Sequence, residues 1–284
     1  MNLNGRRESS NVSDQRGRRG VGRGLKLGGG IGAVIIAAII AWVSGGNPLD
    51  IITSNAGQML GGGGMTETSQ EYTPTAQEEE LAEFSRKILA GTEDVWTREF
   101  QRQGWGTYEC PKMVIYSGSV SSGCGTGTSQ MGPFYCSADE KLYIDLSFFS
   151  EMRQTLGADG DFAYAYVIAH EVGHHVQHLL GTLDDAHSRM SRMSEADANK
   201  LSVAIELQAD YYAGVWAHHD NAMFGSLEPG DIEEAIDAAQ KIGDDYLQKR
   251  AQGYAVPDSF THGTSEQRMQ ALNSGLRTGQ FPQR

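Results

Sequence analysis

Apolar residues fall along this chain in four rhythms, and each predicts a different kind of element. Ile31 to Val43 is an unbroken, charge-free run that, with its flanking glycines, reaches about the length needed to span a bilayer. From Gly45 to about Thr75 large apolar residues are sparse and Gly61 to Gly64 breaks the chain, so this stretch reads as a flexible tether. Helical spacing follows. Thr75 with Glu78 forms a capping-box pair that opens a helix through Leu81, Phe84, Ile88, Val95, Trp96 and Phe100. Between 104 and 150 the pattern turns to short alternating runs, Met113 to Tyr116 and Leu142 to Leu146, bounded by Gly, Ser and Cys; strands are expected there. Helical spacing then returns at Phe162, Ala165, Tyr166, Ala169, Val172, Val176 and Leu180, with Asp161 as expected N-cap and Gly181 as stop. It continues at Ile205, Ala209, Tyr212, Ala213 and Trp216. Two further helices are expected, from Asp231 with Glu234 through Ile236, Ala239 and Tyr246, and from Thr264 with Gln267 through Met269, Leu272 and Leu276.

These elements predict a mainly helical α+β domain with a small β-sheet, preceded by one transmembrane helix. The expected division is a basic leader over 1–26, the membrane helix over 27–45, a linker over 46–75 and the folded domain over 76–284. Charge supports the division: the first 26 residues hold seven Arg or Lys against Glu8 and Asp14, whereas the whole chain carries −13. Basic residues before an apolar span predict a cytoplasmic N-terminus, and hence a single-pass protein of the inner membrane with its domain outside the cytoplasm. A cleavable secretory signal ending near Val43-Ser44-Gly45 is the rival reading; the long polar leader and the interfacial Trp42 favour a retained anchor. Anionic headgroups account for the basic leader more simply than nucleic acid, which is not an expected partner.

The most informative chemistry is His170-Glu171-Val172-Gly173-His174, central to the helix that begins near Asp161. Four residues advance a helix by about 400°, so the two imidazoles lie about 40° apart and one turn displaced, suited to one tetrahedral Zn2+. Glu171 sits beside them, within reach of a water that such an ion would polarise. A third ligand is required. Three and six residues after His174 stand Gln177 and Leu180, which excludes the three-histidine class. Glu206 and Asp210, one turn apart on a core-like helix, are the candidates, because buried carboxylates are costly unless paired or metal-bound. Glu206 as ligand with Asp210 accepting a ligand His N–H would satisfy both. Asp210 as the ligand, or both carboxylates solvated, are the alternatives.

Four segments together resemble the bacterial neutral zinc metallopeptidases: His170 to Gln177, Glu206 to Trp216, Gly132 to Cys136 and Thr261 to Arg268, with Arg6 to Ser9 extending the likeness to the N-terminal region. The resemblance implies a zincin-like peptidase domain with His170 and His174 as ligands, Glu171 as base and Glu206 as third ligand. In such folds an edge strand beside the motif helix binds substrate in extended form, and Leu142 to Leu146 is the strand expected to do so.

The expected activity is membrane-anchored, zinc-dependent endopeptidase action on a protein or peptide; the alternative is a membrane-tethered binding or assembly factor with a non-catalytic zinc site. His262, in the loop Pro257 to Gly263, is the expected oxyanion donor, with Tyr211 and Tyr212 as other candidates. His175, His178, His187, His218 and His219 are read as surface or supporting residues. Of three cysteines, Cys124 and Cys136 are the expected disulfide pair and Cys110 is left over, in a spacing that makes no zinc knuckle.

Overall fold

The computed structural model describes residues 1–17 and 72–281. Its long elements begin where local chemistry satisfies the free N–H groups of a helix end. Helix α1 (Ala76–Gln103) opens on the Thr75/Glu78 capping box, with both reciprocal bonds made, and stops at Gly104 in the left-handed region. Strands β2 (Lys112–Tyr116), β3 (Ser119–Ser122), β4 (Gly125–Thr128), β5 (Phe134–Cys136) and β6 (Lys141–Asp145) follow, then a short helix α2 (Ser147–Glu151). The remainder is helical: α3 (Asp161–Leu179), α4 (Thr182–Met190), α5 (Glu195–Phe224), α6 (Asp231–Lys241), α7 (Asp244–Gln252) and α8 (Ser265–Thr278).

The caps expected at Asp161 and Asp231 are displaced by one residue. Gly160 and Gly230, both at positive φ, precede the two helices, and the aspartates occupy their first turns. The Phe162 N–H is taken instead by Glu234 Oε2 at 3.2 Å. The helix expected from Asp231 to Tyr246 is in fact two, broken at Ile242 and Gly243; at Gly243 the chain passes so close to the start of α8 that a Cβ would lie 2.3 Å from the Ser265 backbone nitrogen.

The main sheet has the order β1-β2-β6-β5, where β1 is Val12–Asp14. Strands β1, β2 and β6 are parallel, and β5 runs antiparallel to β6 with Tyr135 opposite Leu142. Alternation splits the sheet between two cores. Met113, Ile115, Leu142 and Ile144 face the main core under α1, α3, α5 and α8, while Val114, Tyr116 and Tyr143 face a small core with Phe134 and Cys136. A disulfide joins Cys136 to Cys124, tying β5 to the β3–β4 hairpin, and Cys110 is free and exposed. The expectation that Leu142 to Leu146 forms the substrate edge is overturned by the register: β6 is central, and β5 is the edge that packs beside α3.

Residues 1–17 are built into the domain. Strand β1 adds to the edge of β2, and the Met113 N–H donates to Asn11 O at 2.8 Å. Arg6 pairs with buried Asp220 on α5 at 2.8 Å, and Arg7 with Glu93 and Asp94 on α1 at 2.9 and 2.6 Å. Ser9 Oγ and Asn11 Nδ2 both donate to Glu93 Oε1, and Arg16 reaches Glu79 at 2.7 Å.

These contacts correct the membrane reading. A single crossing between 17 and 76 would put Arg6 and Asp220, or β1 and β2, on opposite faces of a bilayer, yet they are in direct contact. Among the described residues no helix is long and apolar enough to cross a membrane. The helix expected over 27–45 and most of the linker expected over 46–75 lie outside the described residues. The single-pass topology, with an N-terminus in the cytoplasm and a domain outside it, is therefore withdrawn.

Candidate metal centre

Two helices build the centre. The motif lies on α3, and Gly173 within it lets α5 come close: a Cβ there would stand 3.0 Å from Ala209 O and 3.2 Å from Ala209 Cα. That approach sets Glu206 of α5 against both imidazoles. His170 Nε2 lies 3.1 Å from Glu206 Oε2, and His174 Nε2 lies 3.5 Å from Glu206 Oε1. One potential ligand atom from each of the three residues falls within 4.8 Å of the others.

The partners of the two Nδ1 atoms define what the Nε2 atoms can do. His170 Nδ1 faces Asp210 Oδ1 at 2.8 Å, an acceptor, so Nδ1 carries the proton. His174 Nδ1 faces Gln177 Oε1 at 2.9 Å, and the Gln177 amide is oriented by donating its Nε2 hydrogens to Ile205 O and Gln208 Oε1. Both neutral rings therefore present Nε2 lone pairs towards a carboxylate. Three electron-pair donors aimed at one another repel unless a cation, or a proton in its place, lies between them. The donor set fits Zn2+, which takes imidazole and carboxylate ligands. The same convergence favours positive charge at this point: burial alone would lower the His170 pKa, but Asp210 and Glu206 raise it to about 10. Burial likewise opposes charge on Glu206, whose carboxyl is nevertheless held well below its usual range by the histidines.

Glu171 does not join the ligand group. It is buried beside it, and desolvation raises its pKa despite the neighbouring imidazoles and the Tyr135 main-chain N–H of the edge strand β5. A carboxyl held above its usual range is suited to accept and return a proton near neutral pH.

His262 lies in the loop before α8, also buried. Its Nδ1 is 3.3 Å from Asp244 Oδ1, and Asp244 Oδ2 accepts the main-chain N–H groups of Thr261, His262 and Gly263 at 2.7, 2.7 and 3.0 Å. The loop is thus wrapped round one carboxylate. The other two donor candidates are engaged elsewhere. Tyr211 donates to Gln280 O at 2.7 Å, and the Tyr212 ring packs against Trp96 and Phe281.

The remaining histidines divide by environment. His175 is buried, donates from Nε2 to Glu109 O at 2.7 Å and accepts from the Tyr135 hydroxyl at 2.9 Å; burial lowers its pKa to about 4. His218 and His219 donate to Leu276 O and Gly279 O at the end of α8. His178 meets Asp184 and Glu140 at the surface side of α3.

Three supporting residues had no role in the sequence reading: Gln177, Asp244 and Arg268. Arg268 alone left a signal, since it stands four residues before Leu272 on the apolar stripe of α8, a buried position where a charge demands a partner.

Comparison with known proteins places the chain in a family. The family model described as "Putative neutral zinc metallopeptidase" matches residues 1–284. The chain is 48% identical over 283 residues to "Uncharacterized protein YpfJ" of Escherichia coli K12, covering 98% of this chain and 96% of that one. It is 41% identical over 182 residues to "Uncharacterized protein Mb2605" of Mycobacterium bovis and to "Uncharacterized protein Rv2575" of Mycobacterium tuberculosis, covering 61% of this chain and 60% of each relative. No solved structure matches significantly.

Proposed function

Since the chain belongs to the neutral zinc metallopeptidase family, we propose that it hydrolyses peptide bonds at a zinc ion held by His170, His174 and Glu206. Zinc bound by three protein ligands supplies a Lewis acid that acidifies water and polarises a substrate carbonyl. Glu171 accepts the proton of the attacking water and delivers it to the leaving amine. Asp210 and Gln177 fix the imidazole tautomers, so that both Nε2 atoms would be free to hold the metal. His262, oriented through Nδ1 by Thr261 Oγ1 and Asp244, offers its other ring nitrogen to the oxyanion that forms as water adds. The edge strand β5 stands beside Glu171 and supplies main-chain groups that an extended peptide can pair with.

The observation that carries this reading is the convergence of two Nε2 lone pairs and one carboxylate on a single point, with a buried carboxyl outside the ligand set beside them. The test is Glu171→Gln assayed on a peptide library and a denatured protein. Zinc content should be unchanged and hydrolysis should fall by about 100-fold or more, the usual scale of general acid–base catalysis. Hydrolysis retained in that variant would remove Glu171 from its role. Zinc bound by a wild type that cleaves nothing would favour a binding or assembly factor with a non-catalytic metal.

A further inference from the structure

The carboxylate behind His170 is itself held by a second cation. Asp210 is completely buried, and its two oxygens are filled asymmetrically. Oδ1 accepts from His170 Nδ1 at 2.8 Å, from the Tyr166 hydroxyl at 2.6 Å and from Arg268 Nη2 at 2.9 Å. Oδ2 accepts from Arg268 Nε at 2.9 Å. Arg268 is buried as well; Nη2 also reaches the Tyr166 oxygen at 3.3 Å, and Nη1 donates to Ile242 O at 3.3 Å.

Such a pair is poor value as a source of stability, because desolvating two charges offsets most of their attraction and apolar side chains of equal volume often do better. Its geometry does something an apolar filling could not. The two-pronged guanidinium fixes the carboxylate plane, and its Nε occupies Oδ2, the oxygen that His170 does not use. Asp210 is thereby confined to accepting the His170 N–H. The guanidinium also cancels its charge, so that a zinc ion with Glu206 as ligand would keep a net positive charge.

The structure is shaped to deliver this arginine. Helix α8 lies on α5 with backbone against backbone: a Cβ on Gly214 would stand 2.2 Å from Leu272 O, and one on Gly275 would stand 2.1 Å from Tyr211 O. This crossing sets Arg268, two turns before Gly275, against Asp210, one turn before Gly214.

We propose that Arg268 is a positioning residue for the metal centre, holding Asp210 as the fixed acceptor behind His170. The inference rests on the proposed zinc site but not on turnover, so its readout is metal binding. Zinc affinity is measured by chelator competition on the full chain for wild type, Arg268→Gln, Arg268→Lys, Asp210→Asn and the Asp210→Asn/Arg268→Gln pair. Each protein is also melted in excess chelator to record its metal-free fold. Loss of a partner behind a ligating histidine costs about 10- to 100-fold in affinity. Arg268→Gln should lose that much, Arg268→Lys should recover part of it by restoring charge without the fork, and the pair should lose no more than Asp210→Asn alone. The cobalt-substituted protein should show an altered visible spectrum in Arg268→Gln, as the His170 ring loses the fixed acceptor that orients it.

Unchanged affinity and spectrum in folded Arg268→Gln, with only the metal-free melting lowered, would overturn the inference and leave the zinc site standing. So would losses that add in the double variant. Should Arg268→Gln not fold, Arg268→Lys decides by the same comparison. A wild type that binds no zinc would overturn the proposed site, and this inference with it.

Discussion

Gly275→Ala is the sharpest structural perturbation, because one methyl group meets only backbone. The added Cβ would stand 2.1 Å from Tyr211 O, 2.9 Å from Val215 N and 3.0 Å from Tyr211 C, and none of these can rotate aside. Non-bonded carbon contacts settle near 3.5 Å, so α8 and α5 must part by about 1 Å. A shift of that size carries both Arg268 bonds to Asp210 beyond hydrogen-bonding range from their present 2.9 Å. Leaving a buried charge without its partner costs about 3–5 kcal/mol, overpacking adds about 1–3, and the better helix propensity of Ala returns only about 1. A net loss of at least about 3 kcal/mol corresponds to a fall in Tm of about 6–12 °C for a domain of this size. Circular dichroism melting checks it, with Gly173→Ala as control. There the nearest atom is Ala209 O at 3.0 Å, so a few tenths of an ångström suffice and the propensity gain offsets much of the strain. A Gly275→Ala protein that melts within about 2 °C of wild type would refute the backbone-on-backbone crossing and the placement of Arg268 that depends on it.

Three other results are expected. Burial would raise the Asp244 carboxyl, but His262 and the three loop N–H groups hold it below its usual range, so its stabilisation is present above the unfolded pKa of about 4 and is lost as pH falls through the folded value. Asp244→Asn should flatten acid unfolding below about pH 4 in urea titrations, and an unaltered acid limb would show that the loop does not depend on this carboxylate. Arg6→Met strands buried Asp220 and should cost about 3 kcal/mol in urea unfolding; a loss under about 1 would mean that residues 1–17 are not integral to the domain. Glu206→Ala should lower zinc stoichiometry well below that of wild type, whereas full occupancy would move the third ligand elsewhere.

What could be read from sequence was local. The Thr75/Glu78 and Thr264/Gln267 boxes form as spaced, since both partners lie within one turn, and the motif helix ends before Gly181, whose φ of 76° suits glycine. The ligand candidates met because their spacing and the apolar stripes of α3 and α5 were both legible. What failed was long-range. Strands β2 and β6 are both legible as apolar runs, but the order that puts β6 between β2 and the three-residue β5 is set by pairing between segments, which alternation within one segment does not reveal. The basic leader looks like a membrane-surface segment in sequence because its acidic partners, Glu79, Glu93, Asp94 and Asp220, stand between 60 and 220 residues away. Arg268 escaped notice for the same reason: its meaning lies in Asp210, on another helix.

The central claim is tested most directly by locating zinc in the protein itself, by anomalous scattering at the zinc edge from crystals of the zinc-loaded chain. The account predicts one strong peak about 2.0–2.2 Å from Nε2 of His170, Nε2 of His174 and a Glu206 carboxylate oxygen, with Asp210 still on Arg268. A peak ligated by Asp210, or one seated instead at the carboxylates of Asp161, Asp231 and Glu234, would contradict it.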